Sequence, residues 1–339
     1  MTKGFRTALW WRREQESIRC LLCPHCCLLA PGETGKCRAR RHERGRGLIT
    51  LNYGRISSAA VDPIEKKPLY HWNPGTAILS LGTVGCSMDC PFCQNWRIAG
   101  WDPALSLASM EPEGVVALGA KTESRAVAFT YNEPLVWFEF LLDASRALRE
   151  AGKSTVIVSN GMILPEPLGE LLPFLSAANI DLKAFTPEAY GVLGGNLEAV
   201  KNTIRTLITG GVHVEVTFLL VPGINDDREA FGRMVQWLAS LEPRPVLHVS
   251  RYFPARKWTV PPPSKEMVRE YCTLARKELP WVYSGNTGER SETRCLSCGG
   301  LLLARREYSI IENNLDPSGR CVACGTRSQI IITEQPGAD

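Results

Sequence analysis

The chain has 339 residues, 44% hydrophobic and 22% charged, with 39 Lys and Arg against 35 Asp and Glu for a formal net charge of +4. That length can bury a large core in one big domain with small appendages or in two medium ones, and so weak a charge does not argue for a nucleic-acid partner. The opening MTKGFRTALWWRREQESIRC has charges on both sides of a short apolar stretch, and no apolar run approaches the ~20 residues of a membrane span. A cytoplasmic protein with neither membrane nor nucleic-acid partner is expected.

Residues 1–76 form an Arg-, Gly- and Cys-rich segment. Five of the 13 cysteines lie between Cys20 and Cys37, three between Cys86 and Cys93, four between Cys295 and Cys324, with Cys272 alone. Such clustering in a reducing compartment points to metal sites rather than disulfides. Cys20, Cys23 and Cys26 spell C-x2-C-x2-C, a ferredoxin-type run, while PGETGKC around Cys37 reads as a metal-knuckle turn. The charged run RARRHERGRG (38–47) reads as a solvated loop, because it lacks the aromatic interleaving of a nucleic-acid patch.

Residues 77–286 alternate short β-rich runs with helical ones, the pattern of a parallel sheet built from strand-helix units. Six strands are predicted, over 77–84, 126–133, 154–160, 177–183, 212–221 and 246–253. A helix is expected from Pro134 to Gly152, others over EAVKNTIRTLITGG and DREAFGRMVQWLASLE, and one after the capping candidate Ser264. The fold class is therefore α/β, an open or partial (β/α) barrel, with its chemistry at the carboxyl ends of the strands.

Just past the first of these strands, Cys86, Cys90 and Cys93 form C-x3-C-x2-C beside Gly85, which permits close backbone approach. A structural zinc site wants a fourth ligand, and the loop has no histidine to supply it. An iron-sulfur cubane held by three thiolates keeps one iron open, and its fourth ligand is then a substrate or cofactor. A zinc knuckle is the competing reading.

Cys86, Cys90, Phe92 and Cys93 resemble the C-x3-C-x-aromatic-C loop of radical S-adenosylmethionine (SAM) enzymes. The resemblance implies a [4Fe-4S] cluster whose open iron is chelated by the methionyl group of SAM. One electron then splits the sulfonium to a 5'-deoxyadenosyl radical. Asn132 and Glu133 of TYNEP match the family's Gly-Gly-Glu segment, which receives the methionyl ammonium; a helix start is the alternative. Ser159 and Asn160 of VSNG can hydrogen-bond the ribose or carboxylate of SAM, or simply make a turn with Gly161. Asp181 and Lys183 fall two apart on one side of a strand and look like the Asp-x-Lys of glycyl-radical-enzyme activases, with a buried ion pair as the rival. His248 is a candidate of the same kind, set against a satisfied core histidine.

In order along the chain, CLLCPHCCLLAPGETGKCRAR, YGRISSAAVDPIEKKPLYHWNPG, LGTVGCSMDCPFCQNW, CLSCGG, ENNL and CVACGT are similar to the AmmeMemoRadiSam system radical SAM enzymes. That pattern selects Cys20, Cys23, Cys27 and Cys37 at the amino terminus, with His25 able to replace a thiolate. Structural zinc and an auxiliary iron-sulfur cluster both remain open there. The resemblance implies an electron donor of flavodoxin or ferredoxin type, and a protein substrate or system partner proteins. It departs at the end, where CGTRSQIIITEQPGAD replaces the family's usual short tail.

Residues 287–339 carry Cys295-x2-Cys298 and Cys321-x2-Cys324, with 22 residues between the pairs, which suit tetrahedral zinc in a zinc-ribbon-like module, with rubredoxin-like iron as competitor. The sequence thus predicts a radical SAM enzyme acting on an unidentified substrate. Its alternatives are a glycyl-radical-enzyme activase and a non-catalytic zinc-ribbon adaptor.

Overall fold

A computed structural model of the chain describes residues 6–102 and 104–333. Period-2 patterning sets the central sheet, whose strands run in chain order: β1 Ser58–Pro63, β2 Ala77–Gly82, β3 Ala126–Phe129, β4 Ser154–Ser159, β5 Leu175–Asp181, β6 His213–Leu220, β7 Val246–Arg251 and β8 Val282–Gly285. β2 to β8 are parallel, and β1 pairs antiparallel with β2. The two edges, β1 and β8, are not hydrogen-bonded to each other, so the barrel is partial.

Eight strands replace the six predicted. β1 lies within the amino-terminal Cys-rich segment, where SSAAVDP offers no long apolar run, and β8 is only four residues long. The predicted 177–183 strand starts earlier and stops at Asp181. RARRHERGRG is not a solvated loop. Arg40–Glu43 pairs antiparallel with Gly47–Thr50, and Arg40 and His42 face inward, each at most 2% exposed.

Between strands, helices such as Phe138–Glu150, Leu197–Thr209 and Lys265–Ala275 cover the outer face. Pro134 opens a short 3-10 turn, Pro134–Trp137, before the first of these. Ser264 caps as expected, accepting from the Met267 backbone N at 3.0 Å, and Asp227 caps Arg228–Ala239. Outward residues of β6, namely Val214, Val216, Phe218 and Leu220, join the helix-side core. Burying each such side chain stabilises the fold by about 1.5–3 kcal/mol.

Inward residues do two different jobs. Near the amino ends of the strands, the small Ala126, Ala128 and Ala177 leave space for Ile64, Leu69 and Trp72, which plug the barrel floor. Toward the carboxyl ends the inward residues turn polar: Asn179 and Asp181 on β5, Glu215 and Thr217 on β6, His248 and Ser250 on β7. That half stays open as a cavity.

The carboxyl-terminal ribbon, strands Arg290–Arg294, Leu301–Arg306 and Ser309–Asn313, lies against the plug. Buried Arg305 donates to the Tyr70 carbonyl at 2.6 Å and to Thr293 Oγ1 at 2.9 Å, and its Nε is 3.6 Å from Glu65 Oε1. The divergent tail docks as well. Ile331 N donates to the His71 carbonyl at 2.8 Å, and Thr333 N donates to Asn73 Oδ1 at 2.7 Å.

Candidate active site

After β2 the chain crosses the carboxyl end of the sheet in a loop carrying Cys86, Cys90 and Cys93, and other elements hold nearly every part of it. Gly85 has φ of +95°, and a Cβ there would lie 2.6 Å from the Cys37 carbonyl oxygen, so only glycine fits. Cys86 N donates to that carbonyl at 3.3 Å, and Asp89 N donates to the Leu193 carbonyl at 3.0 Å. Arg256 Nη1 donates to the Cys90 carbonyl at 2.9 Å, and Lys257 N to the Pro91 carbonyl at 2.9 Å. Asn132 clamps the start of the loop, accepting from Thr83 N at 3.0 Å and donating to the Gly85 carbonyl at 2.7 Å.

All three thiols line one cavity of about 620 Å³, within the range of small-molecule sites. Burial pushes Cys90 up to about 11 and raises Cys86 and Cys93 as well, opposed at Cys90 and Cys93 by the Lys183 ammonium. Holding them as thiolates therefore takes positive charge, which an iron-sulfur core supplies. Donors to sulfur are in place. Asn160 Nδ2 points at Cys86 Sγ from 3.6 Å, and Met88 N from 3.4 Å. The three sulfurs do not close to 4.8 Å of one another, as ligands of a single ion would; four other cysteines do so below. The donor set fits a cubane bound on one side.

Among the residues expected to meet a cofactor, Phe92, Asn132, Glu133 and Asn160 line the cavity. Ser159 is buried and is not among the lining residues; its hydroxyl donates to Glu133 Oε1 at 2.7 Å. Glu133 Oε1 also accepts from Leu135 N at 3.0 Å, and Oε2 from Asn160 N at 2.8 Å. Glu133 thus caps the short helix and ties the ends of β3 and β4 together. Burial pushes its carboxyl up to about 7 against those hydrogen bonds.

Asp181 and Lys183 meet in an ion pair of 2.9 Å on the cavity wall. Burial works against the Lys183 charge, but Asp181 outweighs it and holds the ammonium strongly protonated. His248 also lines the cavity, yet its Nε2 is 2.6 Å from Glu215 Oε2 and its ring packs edge-on against Tyr70. Glu215 Oε1 accepts from His71 N at 2.7 Å. His248 is therefore a partnered member of an interior polar network.

The sequence reading missed the opposite wall. Tyr131, in TYNEP itself, has φ of +72° and donates its hydroxyl to Asp62 at 2.7 Å; Asp62 also accepts from Lys66 and Lys67. Tyr131, Glu65 and Lys66 line the cavity, and so do Ser291, Glu307 and Tyr308 of the ribbon. Nothing local marks these last three.

Among the described residues, Cys295, Cys298, Cys321 and Cys324 form the group whose ligand atoms all lie within 4.8 Å of one another. Cys295 and Cys324 sulfurs are 3.7 Å apart and those of Cys298 and Cys321 3.8 Å. Ligands at about 2.3 Å from one ion, placed at tetrahedral corners, are about 3.8 Å apart, so this set suits a single four-coordinate metal.

Residues 80–237 match the radical SAM superfamily. An uncharacterized protein of Methanocaldococcus jannaschii is 36% identical over 335 residues, covering 96% of this chain and all of that protein. A radical SAM methyltransferase from Sphaerobacter thermophilus is similar in fold, with a TM-score of 0.50 at 16% identity over 67% of this chain and 71% of its own. A domain of a pyruvate-formate lyase-activating enzyme from Bacteroides vulgatus aligns at a TM-score of 0.42 and 20% identity, over 47% of this chain and 98% of that one.

Proposed function

Because this chain belongs to the radical SAM superfamily, we propose that Cys86, Cys90 and Cys93 hold its [4Fe-4S] cluster and that SAM lies between that loop and the ends of β3 and β4. Bound there, the cluster supplies the single electron that cleaves SAM to methionine and an adenosyl radical able to take a hydrogen atom. The observation that carries this reading is the cavity itself, which starts at three thiols of one loop and runs to the Asp181–Lys183 pair.

The chain's own residues orient and enclose. A carboxylate offers about four lone-pair sites, and Glu133 uses three of them on Ser159, Leu135 and Asn160, which leaves one for the methionyl ammonium. Met88, Phe92 and Leu219 give the cavity apolar walls that exclude water, while the fixed Lys183 charge faces the substrate side. Asp181 and Lys183 are then substrate-facing. Asn132 serves the cofactor by holding the loop, and His248 by positioning the interior network.

The finer reading is an AmmeMemoRadiSam system enzyme of the cytoplasm, reduced by a flavodoxin- or ferredoxin-type donor, with structural zinc on the four ribbon thiolates. A segment of a protein partner is a candidate substrate class, since Asn286, Thr287, Glu289 and Tyr308 put hydrogen-bonding side chains on the cavity lining. Anaerobically reconstituted protein reduced with dithionite should form 5'-deoxyadenosine from SAM and show a SAM-responsive cluster signal. Cys90→Ala should lose both. Cleavage that survives in Cys90→Ala would refute the assignment.

A further inference from the structure

The amino-terminal cysteines sit directly behind the cluster loop, and their arrangement differs from that of the ribbon. Cys20 and Cys27 face each other across two short strands, with Cys20 N donating to the Cys27 carbonyl at 2.9 Å. A Cβ on Gly35 would lie 3.8 Å from Cys27 Sγ and 3.9 Å from Cys37 Sγ, so those two sulfurs border one hollow. Cys23, also buried, lies in the turn that joins those two strands. Cys26 differs. Its backbone is left-handed at φ of +41° and its sulfur turns toward the Cys23 carbonyl, 3.7 Å away.

A second observation points at a ligand. Arg40 is 1% exposed, and its Nη1 is directed at Cys20 Sγ from 3.7 Å. Its Nε has no partner among the described residues. An orphaned buried N–H is costly unless an acceptor reaches it, and the sulfurs of a metal cluster are such acceptors. These thiols share a hollow, yet they form no group within 4.8 Å as the ribbon thiols do. One zinc ion draws its sulfurs to about 3.8 Å, whereas a four-iron core holds its outer sulfurs much farther apart.

We infer that Cys20, Cys23, Cys27 and Cys37 hold a second iron-sulfur cluster, closed by four protein thiolates and packed against the back of the SAM-binding loop. The contact is direct: Cys86 N donates to the Cys37 carbonyl at 3.3 Å, and His25 Nε2 is 2.7 Å from the Ser87 carbonyl oxygen. With every iron ligated by protein, this cluster has no position for SAM. It rests on the function proposed above only for that contrast.

Iron, sulfide and zinc counts on the full chain, purified anaerobically, test it. The native chain should hold about eight irons, about eight sulfides and one zinc, against about four irons and two zincs if the amino-terminal site binds zinc. Replacing Cys86, Cys90 and Cys93 together with Ala should halve the iron and leave a reduced-state paramagnetic signal that SAM does not alter. Cys23→Ala with Cys27→Ala should halve it the other way and keep the SAM-responsive signal. Two zincs in the native chain, or no iron in the triad variant, would overturn the inference. A wrong reading of the central site shows differently, as a native chain with no SAM-responsive signal.

Discussion

The ribbon and the central loop both gather cysteines, but they are built in opposite ways. Each ribbon knuckle makes its own turn: Cys295 N donates to the Gly300 carbonyl, Gly299 N to Cys295, Cys321 N to Thr326 and Gly325 N to Cys321. The central loop borrows its hydrogen bonds from Cys37, Asn132, Leu193, Arg256 and Lys257, as far as 167 residues along the chain. A closed metal shell organises its own surroundings and needs little else. A three-thiolate shell left open for a ligand has to be aimed, and distant elements do the aiming.

The largest expected effect divides those two regions. Replacing Cys298 and Cys321 with Ser should release the ribbon metal, read as zinc per chain. It should also lower stability by several kcal/mol, since structural zinc sites bind with about 10–16 kcal/mol in peptides and that energy is coupled to folding. Protein that stays folded should still form 5'-deoxyadenosine. A folded variant with its central cluster signal intact but no cleavage would show that the ribbon is part of the catalytic machinery.

Next in size is the seam between the ribbon and the barrel. Arg305 is fully buried on the ribbon, and it bridges Tyr70 and Glu65 of the barrel plug. Arg305→Met leaves the Glu65 carboxylate buried without its counter-charge, and removing one partner of a buried pair costs about 3–5 kcal/mol. Urea unfolding should show that loss, and adding Glu65→Gln should recover part of it. A loss below about 1 kcal/mol, the scale of an exposed pair, would mean that the ribbon docks without this bridge.

Much of this plan is legible in the sequence for a physical reason. Cysteine spacing and apolar alternation are local signals, so β2 to β7, the triad, the ribbon thiols and the Ser264 cap can be read off one stretch at a time. Arg40 cannot. It alternates with Arg41 in a charged run, and its buried counter-charge, Glu139, lies 99 residues away. The same holds for β1, whose Asp62 accepts from Tyr131 beyond the end of β3, and for Arg256, which grips Cys90 from 166 residues downstream. Ser159 is the opposite case. Its place at a strand end suggests a free hydroxyl, but Glu133 consumes it.

Glu133 gives the smallest effect and the sharpest test of how the open site is held. Its carboxylate accepts from three donors, and Glu133→Gln turns one acceptor oxygen into a donor facing another N–H, at a cost of about 1–3 kcal/mol in stability and in SAM affinity. The pH dependence separates this role from a plain helix cap. Burial raises the folded carboxyl from 4.5 to about 7, so between those values the folded chain binds more protons than the unfolded one. The carboxyl's contribution is then fully present below pH 4.5 and declines as pH rises toward 7, with a slope of at most about 1.4 kcal/mol per pH unit. Glutamine does not titrate. Denaturant midpoints of the two proteins should therefore converge as pH climbs from 5 to 7. A constant gap across that interval would mean that Glu133 ionises as an exposed cap does, and that the ends of β3 and β4 are held by something other than a buried carboxyl.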